Sequence, residues 1–600
     1  MPAVEIPKET LPHLIRRALE TPRDEALVER VNGAWTPTSS QRVLERTLDV
    51  ACAIRGSGLQ PGDRVALISH NCVDWVICDF ATFFAGCVVV PIYPTQAVDQ
   101  TEYILKHSDS KLLFIDNAET LARLREAKVS LPRTVVFESL GDDSLAAFER
   151  EGARIRTAHP ELPGEYEKTL TPDDLAVLIY TSGTTGVPKG VMLSHDNLGF
   201  DSQSSLAYGL SGDHSQDVVL SVLPYSHIFE HTMSYIYLLA QVRYYICHDP
   251  NDLLADLTTV RPQYMASVPR IFDRILAGVQ GQAMKHGGLQ AKLVPWALRV
   301  GREYMEAQML GTGANAVLAM QYAVAKRLVF EKLRKALGLD RVVHLTSGSA
   351  KLHTDIAMTF LAFGVPIYQG YGLTETSPVI TSSIDAYNRY GDVGRPIPNV
   401  EVKIAADGEI LARGRNIMQG YYRDPEATAA TIVDGWFHTG DIGEIDADGF
   451  LRITDRKKEV FKTTTGKYVS PARVEAAIKR SIFVSQAMVI GDARPYPVAL
   501  ICPTWDLVRV ELNLPAITPD ELAGREDVQA FMTAEVRKQT GDLASFEQIR
   551  RIVLIPQEFS VQTGELSPSM KIKRRVVEDR YRDQIDQAYV RDLHAAAAHV

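Results

Sequence analysis

Strand-length apolar runs alternate with helix-length segments through about the first 400 residues of this chain. Arg64-Val-Ala-Leu-Ile-Ser, Leu112-Leu-Phe-Ile-Asp, Thr134-Val-Val-Phe and Leu175-Ala-Val-Leu-Ile-Tyr read as strands. Gln41 to Ser57 and Asp74 to Ala85, lying between them, read as helices. That alternation predicts α/β architecture with parallel sheets. Leu276 to Leu339 departs from it, with many Ala, Leu, Lys and Arg residues and few strand signals, and predicts a helical insertion. After Val400 the texture changes to short strands and tight turns. A small domain is predicted to start at the charge cluster Asp455 to Glu459. At 600 residues the chain exceeds what one core organises, so residues 1–454 and 455–600 are predicted as separate domains.

A net charge of -10 argues against a nucleic-acid binder, because neutralising phosphates needs basic surface. The six cysteines have no metal-like spacing and sit mostly in apolar runs, which suits buried thiols in a reducing, cytoplasmic setting. The start, Met1-Pro-Ala-Val-Glu-Ile-Pro-Lys-Glu, lacks the basic and apolar regions of a signal peptide. Trp75 to Pro94 and Thr232 to Cys247 are apolar but interrupted by Asp79, Gly86, Gln241 and Arg243. A spanning helix needs about 20 nearly uncharged residues, so both are read as buried elements.

The most informative stretch is Leu178-Ile-Tyr-Thr-Ser-Gly-Thr-Thr-Gly-Val-Pro-Lys-Gly-Val-Met-Leu-Ser-His195. A strand runs into Thr181, Ser182, Gly183, Thr184, Thr185 and Gly186, with Lys189 following. The glycines let backbone N–H groups approach an anion, four hydroxyls add donors, and Lys189 supplies a mobile charge. The spacing is not that of a P-loop, which has four residues between its glycines and Ser or Thr after Lys. By composition alone, a phosphate cradle and an ordinary polar turn are equally good readings.

The wording Tyr-Thr-Ser-Gly-Thr-Thr-Gly-x-Pro-Lys-Gly resembles the signature loop of the adenylate-forming superfamily, which includes the acyl-CoA synthetases. Further motifs recur in order to the end of the chain. Leu223-Pro-Tyr-Ser-His-Ile-Phe-Glu resembles the segment whose His, here His227, lies beside the acyl-adenylate. Ile367-Tyr-Gln-Gly-Tyr-Gly-Leu-Thr-Glu-Thr-Ser-Pro378 resembles the adenine motif. The resemblance implies that Gln369, Gly370, Tyr371 and Gly372 pack on adenine, together with Gly348, Ser349 and Ala350. It gives Thr374 the α-phosphate, and Glu375 with Thr181 a magnesium ion. Trp436-Phe-His-Thr-Gly-Asp-Ile-Gly places Asp441 on the ribose hydroxyls.

Asp455-Arg-Lys-Lys-Glu-Val-Phe-Lys resembles the family hinge. Asp455 is then the pivot, and Arg456, Lys458 and Lys462 approach ribose or phosphates. Gly564-Glu-Leu-Ser-Pro-Ser-Met-Lys-Ile-Lys-Arg-Arg resembles the C-terminal motif of the long-chain branch and makes Lys571 the catalytic lysine. The implied fold is a large N-terminal domain of stacked α/β subdomains plus a β-barrel-like subdomain, with a small mobile α+β C-terminal domain. The implied reaction is ATP-dependent activation of a long-chain fatty acid as acyl-AMP. The small domain then turns, the Gly466 strand faces coenzyme A, and the acyl group passes to the thiol.

Three segments depart from the family pattern. Ser349 and Lys351 stand where Gly and Pro are common, Thr465 precedes Gly466 in place of a second glycine, and the tunnel-gating aromatic falls near His231. The alternatives are an acyl-AMP ligase serving a carrier protein, a silent acyl-nucleotide sensor, and, fitting worst, a phosphotransferase. The implied partners are a fatty acid, ATP and CoA, without nucleic acid; peripheral membrane contact and a homodimer stay open.

Overall fold

The computed structural model describes residues 4–182, 187–210, 212–286, 288–309, 311–384, 388–457, 459–464, 467–567 and 570–597. A seven-stranded sheet is ordered Gly420–Tyr421, Pro188–Ser194, Leu175–Ser182, Val88–Ile92, Arg64–Ile68, Ser110–Ile115, Arg133–Val136. Its last five strands run parallel, as the alternation predicts. Leu175–Ser182 and Pro188–Ser194 are antiparallel, because the link between them is too short for a helical crossover. Thr181, Ser182 and Lys189 of the phosphate-loop motif therefore lie on two paired antiparallel strands; Gly183, Thr184, Thr185 and Gly186 lie outside the described residues.

A nine-stranded sheet holds six further parallel strands: His344–Ser347 between Ile367–Gly372 and Tyr264–Ser267, then Val218–Ser221, Arg243–Ile246 and Leu27–Val31. Helices Val73–Phe84 and Ile228–Leu239 fill the space between the two sheets. Trp75, Phe80, Phe83, Phe84, Tyr235 and Tyr237 are almost fully buried there. Burial on every side explains their nearly continuous apolar sequence. Among the described residues no helix is long and apolar enough to cross a membrane.

The β-rich part after Val400 is a five-stranded antiparallel sheet centred on Trp436–Ile445, whose residues alternate between inside and outside. Its strand Leu451–Arg456 carries Asp455 opposite Ile442 and Arg456 opposite Asp441. The segment read as a helical insertion contains helices Pro269–His286, Gly288–Met309, Ala316–Ala325 and Glu331–Ala336. A separate core, with Val474, Ile478, Ile501, Met532 and Val536, gathers around a three-stranded sheet of Val484–Ile490, Val498–Pro503 and Arg551–Leu554. All six cysteines are free thiols and five are buried.

Helix Leu145–Ala158 lies directly on the backbone of helix Ser40–Gly56. A Cβ at Gly152 would stand 1.7 Å from the Asp49 carbonyl oxygen, so only glycine permits this approach. Gly152→Ala is expected to destabilise the chain by about 1–3 kcal/mol through this overpacking, read as a lower urea midpoint.

Candidate functional site

The edge of the first sheet sets out the hairpin motif. Thr181 lies opposite Lys189 across the two strands. The Lys189 ammonium sits 4.9 Å over the Tyr421 ring and 3.6 Å from the Asp424 carboxylate. Tyr421 is held in place by its short strand, which pairs with Pro188–Ser194. Its hydroxyl donates to Glu375 Oε1 at 2.9 Å. Asp424 is fixed independently, since its Oδ1 caps helix Pro425–Thr431 by accepting from Ala427 N–H at 2.9 Å. One aromatic ring thus touches both the lysine and the carboxylate that the motifs single out. Neither Tyr421 nor Asp424 was picked out from sequence. Asp424-Pro-Glu signals a helix start, but not which strand its neighbours join.

The second sheet contributes the adenine motif. Gly372 admits no side chain, because a Cβ would lie 1.6 Å from the Pro378 carbonyl oxygen. Gln369 is buried and donates to the Asp392 carbonyl at 3.1 Å. Gly370 lies in the same strand, and Thr374 and Glu375 sit in the 3-10 turn Thr374–Thr376 that follows it. A Cβ at Gly348 would meet the Phe229 ring at 2.9 Å. Ser349 adopts a left-handed φ of 65°, the conformation glycine accepts most easily, and Ala350 follows it exposed. The departure at Ser349 therefore keeps a glycine-like backbone.

His227 caps helix Ile228–Leu239 by accepting the Phe229 N–H on Nδ1 at 3.1 Å. Burial, and then the charge of Lys571, push its pKa down to about 3. The ring is neutral, and with Nδ1 accepting, its proton is on Nε2. His231, where a gating aromatic was expected, is a buried polar link. Its Nε2 lies 2.9 Å from Asp79 and 2.7 Å from the Tyr235 hydroxyl. Glu230 is wholly buried on a hydrogen bond from Ser221, and burial raises its carboxyl to about 8.

The third sheet supplies Asp441. Its carboxylate accepts from the Tyr371 hydroxyl at 2.8 Å and from Arg456 Nε at 3.0 Å. Lys571 enters from the C-terminal domain on a turn closed by Ser567, whose N–H donates to the Lys571 carbonyl at 2.8 Å. Its ammonium keeps access to solvent yet is crowded by protein, and the charges of Arg456, Asp441 and Glu375 all act on it. Desolvation, then Arg456, lower its pKa. Arg270 and Glu558, 3.2 Å apart, join the two parts of the chain. The Lys462 ammonium lies 5.3 Å over the Tyr468 ring. Lys458, Thr465 and Gly466 lie outside the described residues, as does the Ser182 side chain.

Three sheets and the C-terminal turn therefore converge on one cleft, where Lys571 feels the charges of Arg456, Asp441 and Glu375, the neutral His227 feels that of Lys571, and Tyr421 links Glu375 to Lys189. Among the described residues no group of three or more His, Cys, Asp or Glu could hold a metal. A cation held by Glu375 would need ligand oxygens to complete its shell.

A family model described as AMP-binding enzyme matches residues 14–422, and one for the AMP-binding enzyme C-terminal domain matches 458–593. The chain belongs to the AMP-binding enzyme family. Among its relatives, long-chain-fatty-acid–CoA ligase FadD15 of Mycobacterium bovis is 34% identical over 568 residues, 93% of each chain. Long-chain-fatty-acid–CoA ligase heimdall of Drosophila melanogaster is 29% identical over 650 residues, covering 97% of this chain and 95% of that one. The adenylation domain of a carboxylate reductase from Mycobacterium chelonae matches with a TM-score of 0.76 at 22% identity, covering 97% of this chain and 92% of that one. That last likeness is one of fold.

In this AMP-binding enzyme Glu230 carries a pH signature. Its folded pKa of about 8 exceeds the unfolded value near 4.3. Its contribution to stability is thus complete below about pH 4 and declines as pH rises toward 8. Glu230→Gln is expected to gain on the wild type across that window, measured as urea midpoints at pH 5 and pH 8. A constant difference between the two proteins would contradict it.

Proposed function

We propose that this enzyme activates a long-chain fatty acid with ATP, giving acyl-AMP and pyrophosphate, and passes the acyl group to coenzyme A. What supports this reading is the grouping of Glu375, His227 and Asp441 around Lys571, with Lys189 reached through Tyr421, in a chain whose relatives are named long-chain-fatty-acid–CoA ligases. Magnesium, fatty acid metabolism and a cytoplasmic location belong to the same proposal.

The residues fit a magnesium site. Glu375 Oε1 is occupied by Tyr421, while Oε2 has no hydrogen-bond donor among the described residues. A carboxylate, the Thr181 hydroxyl and phosphate oxygens make the hard donor set magnesium prefers. Bound there, the ion would neutralise charge on the departing pyrophosphate.

ATP phosphates would draw Lys189 from Asp424, the ring of Tyr421 keeping the ammonium over the site. Asp441 would exchange its present donors for the ribose hydroxyls. Thr374 would donate to the α-phosphate, with Gly348, Ser349, Ala350 and the Gln369–Gly372 strand alongside adenine. A carboxylate oxygen of the acid then attacks the α-phosphorus, and the bond to the β-phosphate bridging oxygen breaks. Lys571 would lie between the two anions and lessen their repulsion. His227, neutral with Nε2–H outward, offers one donor to the adenylate without adding charge. Residues 455–600 would next turn about Asp455, withdrawing Lys571 and bringing Gly466 toward CoA, so that one cleft serves both half-reactions. The thiol sulfur bonds to the acyl carbon, its proton is lost to solvent, and AMP leaves.

Pyrophosphate release with ATP, magnesium and palmitate, followed by palmitoyl-CoA formation when CoA is added, tests the reading; pyrophosphate without a CoA product would overturn the second half. Lys571→Ala is expected to slow adenylation on the order of a hundredfold or more while sparing thioester formation from supplied palmitoyl-AMP. Equal losses in both half-reactions would remove Lys571 from its role. Tyr421→Phe keeps the ring under Lys189 but deprives Glu375 of its donor. It is expected to weaken magnesium-dependent ATP binding roughly tenfold, seen by calorimetry, with little change in metal-free ATP binding.

A further inference from the structure

Helix Ala316–Ala325 continues through the π-helical turn Lys326–Phe330 into Glu331–Ala336. One side of this rod is packed. Tyr322 stacks on Tyr304 at 4.1 Å and donates to the Ala362 carbonyl, and Ala325, Val329 and Phe330 are buried. The other side is apolar too. Val317, Met320, Val324 and Leu328, spaced three, four and four residues apart, are 60%, 65%, 44% and 45% exposed. That spacing puts them on one face. Met309, at the end of the adjoining helix Gly288–Met309, adds another exposed apolar side chain. A surface helix that presents a continuous apolar stripe to water marks an interaction site.

The surrounding charge identifies the occupant. Lys326, Arg327, Lys332 and Lys335 are exposed, and among the described residues none of the four forms an ion pair; Glu331 is the one acidic residue from 326 to 335. This basic cluster sits on a chain whose net charge is -10. A two-fold contact with a second copy would set these cations against themselves. A bilayer with anionic headgroups accepts both features at once, the stripe entering the acyl boundary and the cations meeting the headgroups.

We propose that the Val317–Leu328 face is a membrane-docking surface that seats the protein on an anionic lipid bilayer. The surface is unrelated to the cleft residues. Its use rests on the reading of the substrate as a long-chain acid, since such acids partition into bilayers.

Flotation of the full chain with vesicles tests this, using phosphatidylcholine alone and with about one-third phosphatidylserine. Wild type is expected to float with the anionic vesicles and to detach as salt is raised. The variant V317S/M320S/V324S/L328S alters only exposed side chains and should keep its thermal midpoint while binding on the order of tenfold more weakly. The variant K326E/K332E should lose the preference for anionic vesicles. Failure of wild type to float, or equal flotation of the serine variant, would overturn the proposal. So would a dimeric wild type that the serine substitutions convert to monomer, which would make a second copy the occupant. Flotation needs no turnover, and dodecanoate turnover without vesicles is measured on the same samples. Loss of the ligase reading and loss of the docking surface are therefore told apart.

Discussion

Asn71 holds the two large sheets in register at the cleft. It is buried after strand Arg64–Ile68, and its amide donates to the Leu223 carbonyl at 2.7 Å and accepts from Tyr225 N–H at 3.0 Å. Ser226 adds a bond to the Ile92 carbonyl at 3.1 Å. A side-chain amide satisfied on both its atoms in a buried interface is specific, because any slip between the sheets would leave buried polar groups unpaired. The loop it fixes ends in His227. The position of that histidine is thus set by the first sheet, although its sequence belongs to the second.

The helix that His227 caps is held in the same way. Thr232 donates to the Ser377 carbonyl at 2.9 Å, tying the helix to the loop after Glu375. One turn along, His231 and Tyr235 engage Asp79 on the opposing helix. Polar bonds inside an otherwise apolar layer add little net stability but select one arrangement. The apolar filling, Trp75 and Phe80 among it, supplies the burial. This division of labour explains why His231 replaces an aromatic without loosening the layer: its ring packs edge-on against Trp75 at 5.0 Å.

What the sequence made legible follows from distance along the chain. Strands, the interior helices and the helical segment after Leu276 are local patterns, and they lie where periodicity put them. The motif residues rest on resemblance, which preserves their order along the chain. Tyr421, Asp424 and Asn71 reach their cleft-side partners far along the chain, from Glu375 and Lys189 to Leu223 and Tyr225. No local pattern points at such a pairing. The antiparallel return of Pro188–Ser194 was missed for a different reason: apolar runs carry no sign of strand direction, and only the shortness of the link excludes a crossover.

Local chemistry also accounts for the asymmetry of the cleft. Lys189 is balanced by Asp424 and Arg456 by Asp441, each across one contact. Both carboxylates are anchored by a second bond, Asp424 at a helix N-terminus and Asp441 on Tyr371. On the proposed function an incoming polyphosphate and ribose would displace the pairing without moving the backbone, because the anchors stay. Lys571 has no such resident counterion within hydrogen-bond reach among the described residues, and it arrives on a turn from the other domain. The N-terminal domain therefore supplies groups already in direct ion pairs, whereas the C-terminal domain delivers a lysine with no direct ion pair among the described residues. On the proposed function its ammonium would be best satisfied with two anions present together, which would couple closure of the cleft to full occupancy by substrates.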